Sequence, residues 1–296
     1  MSMFRKDLLS GKRILITGGG TGLGKEFADE YMSLGAEVHI CGRRGSVLDE
    51  AAAELIEKNS GTIRTHVCDV RDAAAVEAMI DGIWKESGPL TGLVNNAAGN
   101  IISPTESLSP RAFDAVSSIV MNGSFYATHA CGKRWIDQGL KGSVLSTLVT
   151  WVWDGSPYTV PSAMAKSAVH IMTKSLAAEW GKFGIRLNAV APGPFPTPGA
   201  WKRLRPGTAT DGSDDDVRNI PMRRVGKMPE LRALMAFLMA DECEYLTGEC
   251  IAIDGGAMLA TAGNYSHLFS RTREEWDEVR AMSKKASDQE KAERSN

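Results

Sequence analysis

The 296-residue sequence lacks several features that would assign it to a broad functional class. It has no apolar run close to the roughly 20 residues that a membrane-spanning helix needs, which predicts no membrane span. It has no excess of one charge, since 34 Lys and Arg face 36 Asp and Glu, so we expect no nucleic-acid partner. Its five cysteines and five histidines show no metal-ligand spacing, which predicts reduced thiols and no metal site.

The amino-terminal segment lacks the apolar stretch of a secretory signal peptide, and Asp7 argues against a transit peptide. Together with cysteines that show no pairing pattern, this predicts a cytoplasmic protein. A hydrophobic fraction of 43% and a charged fraction of 24% are ordinary for a globular chain. The length is sufficient for one large α/β domain.

What the sequence does contain is a glycine-rich segment between an apolar run at 14–16 and a helical pattern that begins near Lys25. A strand that turns tightly into a helix directs free backbone N–H groups and the positive end of the helix dipole at one spot, which suits a pyrophosphate. The spacing Gly18-x-x-x-Gly22-x-Gly24 differs from the common G-x-G-x-x-G fingerprint. The alternative is a glycine-rich loop without a ligand.

Strand-like apolar runs alternate with helical stretches along most of the chain. The predicted strands are 13–17, 37–41, 63–68, 92–96, 142–148, 185–191 and 250–254, and the clearest helices are 22–33, 46–58, 73–86, 111–138, 160–183 and 230–239. This alternation predicts an α/β fold: a single-domain, doubly wound (Rossmann) seven-stranded parallel sheet with helices on both faces.

Two regions depart from this alternation. A segment rich in Pro, Gly and Asp, at about 194–221, predicts a lid or substrate loop within a domain that spans 1–256. The remaining residues, 257–296, form a predicted C-terminal helical extension with a charged helix at 272–288. This extension closes the active site, contacts a neighbouring subunit or is a solvated tail, and the sequence leaves these alternatives open.

Four motifs in order give the chain a family resemblance: Gly18-x-x-x-Gly22-x-Gly24, Asn95-Asn-Ala-Ala-Gly99, Lys166 and Pro192-Gly193. With them the chain resembles the short-chain dehydrogenase/reductases over residues 11–256. Within that family it is most similar to the mitochondrial-type 2,4-dienoyl-CoA reductases, in the runs 17–25, 96–106, 160–166, 175–181 and 273–276. The resemblance implies an NADPH-dependent oxidoreductase that acts on acyl-CoA thioesters and forms a homotetramer.

The second predicted strand ends in two arginines, Arg43 and Arg44, where an NAD-preferring site usually has a carboxylate. A 2′-phosphate calls for arginine, so the pair predicts NADP(H), with a solvated basic turn as the alternative. The resemblance implies that Asp69 contacts the adenine ring and that Lys166 forms a hydrogen bond with the nicotinamide ribose. It also implies that residues 192–195 lie beside the carboxamide of the nicotinamide. The predicted cofactor-binding residues are Gly18, Gly20, Thr21, Gly22, Leu23, Gly24, Arg43, Arg44, Asp69, Asn96, Ala97, Lys166, Pro192, Gly193 and Phe195.

The catalytic tyrosine of the family is missing. The active site of the short-chain dehydrogenase/reductases contains the motif Tyr-x-x-x-Lys, a serine upstream of it and an asparagine on the central helix. This chain has Ser162 at the tyrosine position, Val149 near the serine position and Val120 at the asparagine position. Of the four residues, only Lys166 is retained.

The similar dienoyl-CoA reductases instead use a tyrosine fifteen residues before the lysine, together with an asparagine. That asparagine is present as Asn100, but Trp151 occupies the tyrosine position. An indole N–H donates a hydrogen bond but cannot exchange a proton at useful pH. Tyr158, on the predicted loop before the helix of Lys166, is the alternative catalytic residue to Trp151. Ser162 either contributes a hydroxyl group to the site or only fills space.

The resemblance also implies contacts with an acyl-CoA substrate from Arg71, Ile101, Ser109 and Arg203. Guanidinium groups suit the phosphates of CoA, although a surface cluster unrelated to any ligand is equally compatible with Arg203. Three hypotheses follow: an NADPH-dependent dienoyl-CoA or related enoyl-CoA reductase, a carbonyl reductase or alcohol dehydrogenase that uses Tyr158, and a non-catalytic NADP(H)-binding protein.

Overall fold

Seven strands form one parallel sheet in the computed structural model, which describes residues 3–197, 217, 220–261 and 271–294. Their order across the sheet is β3-β2-β1-β4-β5-β6-β7, and neighbouring strands run parallel. The predicted doubly wound, seven-stranded Rossmann sheet is therefore confirmed. The strands are β1 (Arg13–Thr17), β2 (Glu37–Gly42), β3 (Ile63–Val67), β4 (Gly92–Asn95), β5 (Gly142–Thr147), β6 (Ile185–Pro192) and β7 (Cys250–Ile253).

Helices connect the strands and pack on both faces of the sheet. The α-helices are α1 (Gly22–Ser33), α2 (Gly45–Lys58), α3 (Ala73–Glu86), α4 (Pro110–Ser117), α5 (Gly123–Asp137), α6 (Trp151–Asp154), α7 (Val160–Trp180), α8 (Met228–Met239), α9 (Ala257–Thr261) and α10 (Arg273–Arg294). Short 3₁₀ turns occupy Thr105–Ser107, Gly181–Phe183 and Asp241–Cys243.

The prediction of one continuous α-helix over 111–138 is wrong. A π-helical segment, Ser118–Asn122, separates α4 from α5. A π turn contains one residue more than an α turn, and hydrophobic periodicity averaged over a long window does not resolve such a local insertion. The predicted C-terminal helix at 272–288 forms but is longer, Arg273–Arg294. Most of the predicted lid, including Arg203, lies outside the described residues.

The sheet buries apolar side chains on both faces, as a parallel sheet between two helical layers requires. Along β1, Ile14 and Ile16 belong to a core cluster with Phe27 of α1, whereas Leu15 belongs to the cluster that contains Trp135 of α5. All five side chains are fully buried. The two-residue period of a strand produces this division. None of the described helices is both long and apolar enough to cross a membrane.

The strand order reverses between β1 and β4, which lie side by side at the centre of the sheet. Chains leave these two strands in opposite directions, so a crevice opens beyond their carboxyl ends, where doubly wound folds bind ligands. The glycine-rich segment follows β1, and Asn96 follows β4 directly. The fold therefore brings two of the sequence motifs to one edge of the sheet.

Candidate active site

The glycine-rich loop after β1 has a backbone that other residues would not tolerate. Gly18 and Gly22 have φ angles of +67° and +56°, in the left-handed region that favours glycine. A Cβ on Gly24 would lie 2.4 Å from the carbonyl oxygen of Gly18, so the start of α1 packs directly on the loop. Thr21 precedes α1 and makes no side-chain cap bond, which leaves the first N–H groups of the helix for another acceptor. This cradle fits a phosphate.

Side-chain and backbone hydrogen bonds join the glycine loop to the end of β4. The Asn96 side-chain amide donates to the carbonyl oxygens of Thr17 and Gly18, at 3.1 and 3.3 Å. In return, the Thr17 hydroxyl oxygen accepts from the backbone N–H groups of Asn96 and Ala97, each at 3.0 Å. Asn96 therefore braces the loop, and Thr17 is a contributor that the sequence motifs did not single out.

A basic turn lies between β2 and α2. Arg43 and Arg44 are both exposed, and Arg44 is the residue that precedes α2. Asp69 follows β3 nearby, since the Arg43 charge contributes to lowering the pKa of its carboxyl. The largest cause of that lowered pKa is the hydrogen bond that Asp69 accepts from Arg71. The last residues of β2 before these arginines include no carboxylate. Two guanidinium groups at this position suit an anionic group of a ligand better than a ribose hydroxyl.

The structure joins two residues that were predicted to contact different ligands. The Asp69 carboxylate accepts from the backbone N–H of Arg71 at 3.1 Å and from its Nε at 3.0 Å. This pair is partly exposed to solvent, so it adds little to stability. Its effect is on geometry, because the guanidinium is held beside the carboxyl edge of the sheet.

Lys166 is a buried ionisable group near this edge. It lies on α7 with 9% of its surface exposed, and its Nζ donates to the backbone oxygen of Thr147 at the end of β5. Burial lowers the pKa of the ammonium group to about 8. Within the described residues the buried hydroxyl of Thr147 has no hydrogen-bond partner. Lysine and hydroxyl together therefore fit the polar edge of a ligand such as a ribose.

One helical turn before the lysine, Ser162 is 3% exposed, and the described residues provide no partner for its hydroxyl. Residues four apart on α7 lie on the same face, so Ser162 and Lys166 are neighbours. A buried hydroxyl at this position is smaller than the tyrosine of the family pattern, and it cannot reach as far into the crevice.

The short helix α6 is packed onto α7. Val152 joins a core cluster with Leu148 and Ala165, and the Trp153 ring lies edge-on to His170 at a centroid distance of 5.7 Å. These contacts fix the helix that begins at half-buried Trp151. Since α6 starts shortly after β5, the indole of Trp151 belongs to the same end of the sheet as Thr147.

Asn100 and Tyr158 lie on two loops that touch each other. The backbone N–H of Ser103 donates to the carbonyl oxygen of Tyr158 at 2.9 Å. Asn100 is exposed, and Tyr158 is 58% exposed. Neither side chain has a hydrogen-bond partner among the described residues, so no bond joins the Tyr158 hydroxyl to Lys166.

The remaining predicted substrate residues differ in their surroundings. Ile101 packs against the same core cluster as Val152. Ser109 caps α4, since its hydroxyl oxygen accepts from the Ala112 N–H at 3.2 Å, a structural use that its place before Pro110 signals in the sequence.

The segment after β6 is tied to β7 and to the residues just before α8. Gly193 donates its N–H to the carbonyl oxygen of Ile253 at 3.0 Å, and a Cβ on Gly193 would lie 2.7 Å from Asp254 Cα. Phe195 is buried, and its ring leaves no space for a side chain at Gly226. The chain therefore passes the crevice along a fixed path from Pro192 to Phe195.

The fold and these residues define the class of the protein: a dinucleotide-binding Rossmann fold with a buried lysine at the carboxyl edge of its sheet. A family model described as enoyl-(acyl carrier protein) reductase matches residues 18–258. The chain belongs to the short-chain dehydrogenase/reductase family of oxidoreductases.

Individual relatives cover most of the chain. A probable 2,4-dienoyl-CoA reductase 3 from Caenorhabditis elegans, named as (3E)-enoyl-CoA-producing, is 40% identical over 277 residues, which are 93% of this chain and 89% of that protein. A probable 2,4-dienoyl-CoA reductase from Bacillus subtilis (strain 168), named as (2E)-enoyl-CoA-producing, is 40% identical over 84% of this chain and 97% of that protein. A short chain dehydrogenase from Bacillus anthracis, at 40% identity, has a TM-score of 0.74 and covers 83% of this chain and 96% of its own.

Proposed function

We propose that this protein uses NADPH to reduce a 2,4-dienoyl-CoA or related enoyl-CoA thioester. The observation that carries the proposal is the composition of the site. Lys166 is buried, and no tyrosine hydroxyl is bonded to it within the described residues; beside it we assign two hydrogen-bond donors, Asn100 and Trp151. Two relatives that cover most of the chain are named as 2,4-dienoyl-CoA reductases.

The choice of NADP(H) rests on the basic turn after β2. Arg43 and Arg44 present guanidinium groups to solvent where a 2′-phosphate would lie, and guanidinium forms paired hydrogen bonds to phosphate. The glycine loop after β1 would hold the pyrophosphate, Asp69 the adenine, and Lys166 the nicotinamide ribose. When bound, the reduced nicotinamide supplies a hydride.

Asn100 and Trp151 would act on the thioester oxygen. Reduction at the far carbon of the diene moves negative charge onto that oxygen, and fixed donors stabilise it more than they stabilise the neutral thioester. The buried charge of Lys166 adds to this field because it acts in a water-poor environment. Neither donor needs to release a proton, so the indole of Trp151, which donates a hydrogen bond but cannot give up its proton, is sufficient.

Water then protonates carbon, and the carbon chosen fixes the product. Protonation next to the thioester leaves the double bond at the 3-position, whereas protonation two carbons further leaves it at the 2-position. The names of the two relatives differ in this respect. NMR of the isolated thioester distinguishes the two products.

The CoA phosphates would meet Arg71, with Ile101 and Ser109 on the substrate side and Arg203 from the predicted lid. The guanidinium of Arg71 is held by Asp69, so substrate and cofactor would share one ion pair. This arrangement predicts that CoA thioesters bind more tightly once NADP(H) is in place.

The decisive experiment mixes the purified protein with NADPH and trans,trans-2,4-hexadienoyl-CoA and follows both absorbances. We expect equal consumption of the two, with little activity on a panel of ketones and alcohols. Tyr158→Phe should leave a dienoyl-CoA reductase active, whereas it should abolish the turnover of a carbonyl reductase that relies on this hydroxyl. Tight NADPH binding without turnover on any substrate would favour a non-catalytic protein.

We also propose a homotetramer, supported by apolar side chains exposed on the central helices. Phe125 on α5 is 47% exposed, and Ile171 on α7 is 60% exposed. A second copy would cover such a surface. Light scattering of the wild type and of Ile171→Asp tests this, since the charge should dissociate the assembly.

The proposed compartment is the cytoplasm, which imaging of a fluorescent fusion tests.

A further inference from the structure

We propose that Tyr158 is a positioning residue, and that its backbone carbonyl holds the loop that carries Asn100. The contact is the Ser103–Tyr158 clasp, defined as the 2.9 Å hydrogen bond from the Ser103 N–H to the Tyr158 carbonyl oxygen. This inference rests on the proposed function, because it assigns Asn100 a partner only when the thioester is bound. It gives Tyr158 a role that does not involve its hydroxyl.

The backbone of Tyr158 is strained. Its φ angle is +64°, in the left-handed region that bulky residues rarely adopt, and it is one of two non-glycine residues with positive φ in the described part of the chain. Such strain persists only where surrounding contacts maintain it, and it clusters at functional sites. The buried neighbour Thr159 and the start of α7 fix the chain that follows Tyr158, and the clasp holds its carbonyl oxygen.

The strain is not compensated by the side chain. Tyr158 is 58% exposed, and the described residues offer its hydroxyl no hydrogen bond. Because the side chain contributes so little, contacts of the backbone maintain this costly conformation. That conformation directs the Tyr158 carbonyl oxygen at the neighbouring loop.

That neighbouring loop, residues 97–104, carries Asn100 between two anchors. At its start, the N–H of Ala97 is bonded to the Thr17 hydroxyl oxygen at 3.0 Å. Near its end, the clasp holds Ser103, and between them Ile101 packs on the core cluster of Val152. Because the exposed Asn100 amide has no partner among the described residues, only the backbone of this loop fixes its position.

A matched pair of substitutions tests the clasp. Tyr158→Gly and Tyr158→Val both remove the ring, but glycine adopts a φ of +64° freely, whereas a β-branched residue resists it. The assay uses NADPH and trans,trans-2,4-hexadienoyl-CoA, and we expect kcat/KM of Tyr158→Val to be about tenfold below that of Tyr158→Gly. The loss is smaller than the hundredfold or more that removal of an oxyanion donor causes, because Asn100 is displaced but still present. In an Asn100→Ala background, the difference between the pair should vanish.

Hydrogen–deuterium exchange gives a second measurement that does not depend on activity. The Ser103 amide should be protected in the wild type and in Tyr158→Gly, and should exchange at least tenfold faster in Tyr158→Val. Equal protection in the pair, or a tenfold loss of kcat/KM that persists without Asn100, would overturn the clasp while wild-type turnover leaves the proposed function intact. A wild-type protein that fails to reduce the thioester overturns the proposed function, and with it the role of the clasp.

Discussion

Replacing Lys166 by methionine should make the protein more stable and inactive. Burial lowers the pKa of the Lys166 ammonium from its usual 10.5 to about 8. At about 1.4 kcal/mol for each unit of pKa, keeping the amine charged costs the folded state about 3 kcal/mol at pH 7. Methionine fills similar space without charge, but it leaves the hydrogen bond to the Thr147 carbonyl unmade, at a cost of about 1 kcal/mol. The expected gain is about 2 kcal/mol.

The pH dependence follows from the same pKa. Between pH 8 and 10.5 the unfolded chain binds more protons at this lysine than the folded chain does, so wild-type stability rises with pH across that window. The cost is fully present below pH 8 and disappears above 10.5. The advantage of Lys166→Met should therefore fall from about 2 kcal/mol at pH 7 to less than about 0.5 kcal/mol at pH 9.5.

Urea unfolding of the ligand-free proteins at pH 7 and 9.5 measures both effects. Lys174→Met is the matched control, because Lys174 is an exposed lysine on the same helix, and its replacement should change stability by no more than about 0.5 kcal/mol. A Lys166→Met protein that is less stable than the wild type at pH 7, or whose advantage is independent of pH, would refute the desolvation argument. Turnover of the dienoyl thioester should fall at least about a hundredfold.

Three further predictions concern other residues. Trp151→Tyr should raise kcat on the dienoyl thioester about tenfold and Trp151→Phe should lower it about tenfold, whereas equal rates for the two would exclude a donor role. Arg43→Ser should weaken NADPH binding about tenfold in a fluorescence titration and leave NADH binding unchanged; equal losses would show that Arg43 does not bind the 2′-phosphate. Burial, with the neighbouring His66, lowers the pKa of His39 to about 4, so stability should be lost as the pH falls from 6.5 towards 4. His39→Gln should flatten that loss in urea midpoints, and an unchanged slope would count against the assignment.

Most of the fold could be predicted from the sequence, because its signals are local. The strands β1 and β4 to β6 each contain a short apolar segment and are buried along almost their whole length, as sheets covered on both faces require. The glycines that mark the turn into α1 are needed for a backbone with positive φ and for close packing. Each of these signals lies within about a dozen consecutive residues, so no knowledge of tertiary structure is necessary.

The contacts that organise the candidate site depend on tertiary structure and could not be predicted. The Thr147 carbonyl meets Lys166 because β5 and α7 pack in one particular register. The Ser103–Tyr158 clasp joins two loops that are far apart in sequence, and the left-handed backbone of Tyr158 has no glycine or asparagine to signal it. Asp69 and Arg71, in contrast, are two residues apart, yet their pairing depends on side-chain geometry that spacing alone leaves open.

The absence of the family tyrosine bears differently on different substrates. Reduction of a ketone produces an alkoxide, which is strongly basic and needs a proton donor at oxygen within the site. Reduction of a dienoyl thioester spreads the charge over oxygen and carbon, so hydrogen-bond donors and a buried ammonium are sufficient until water protonates carbon. Loss of one optimal donor costs about 3–4 kcal/mol in either case, but only the ketone also loses its proton. The proposed site with Lys166, Asn100 and Trp151 would therefore favour conjugated thioesters, and its selectivity over ketones should exceed that of relatives that retain the tyrosine.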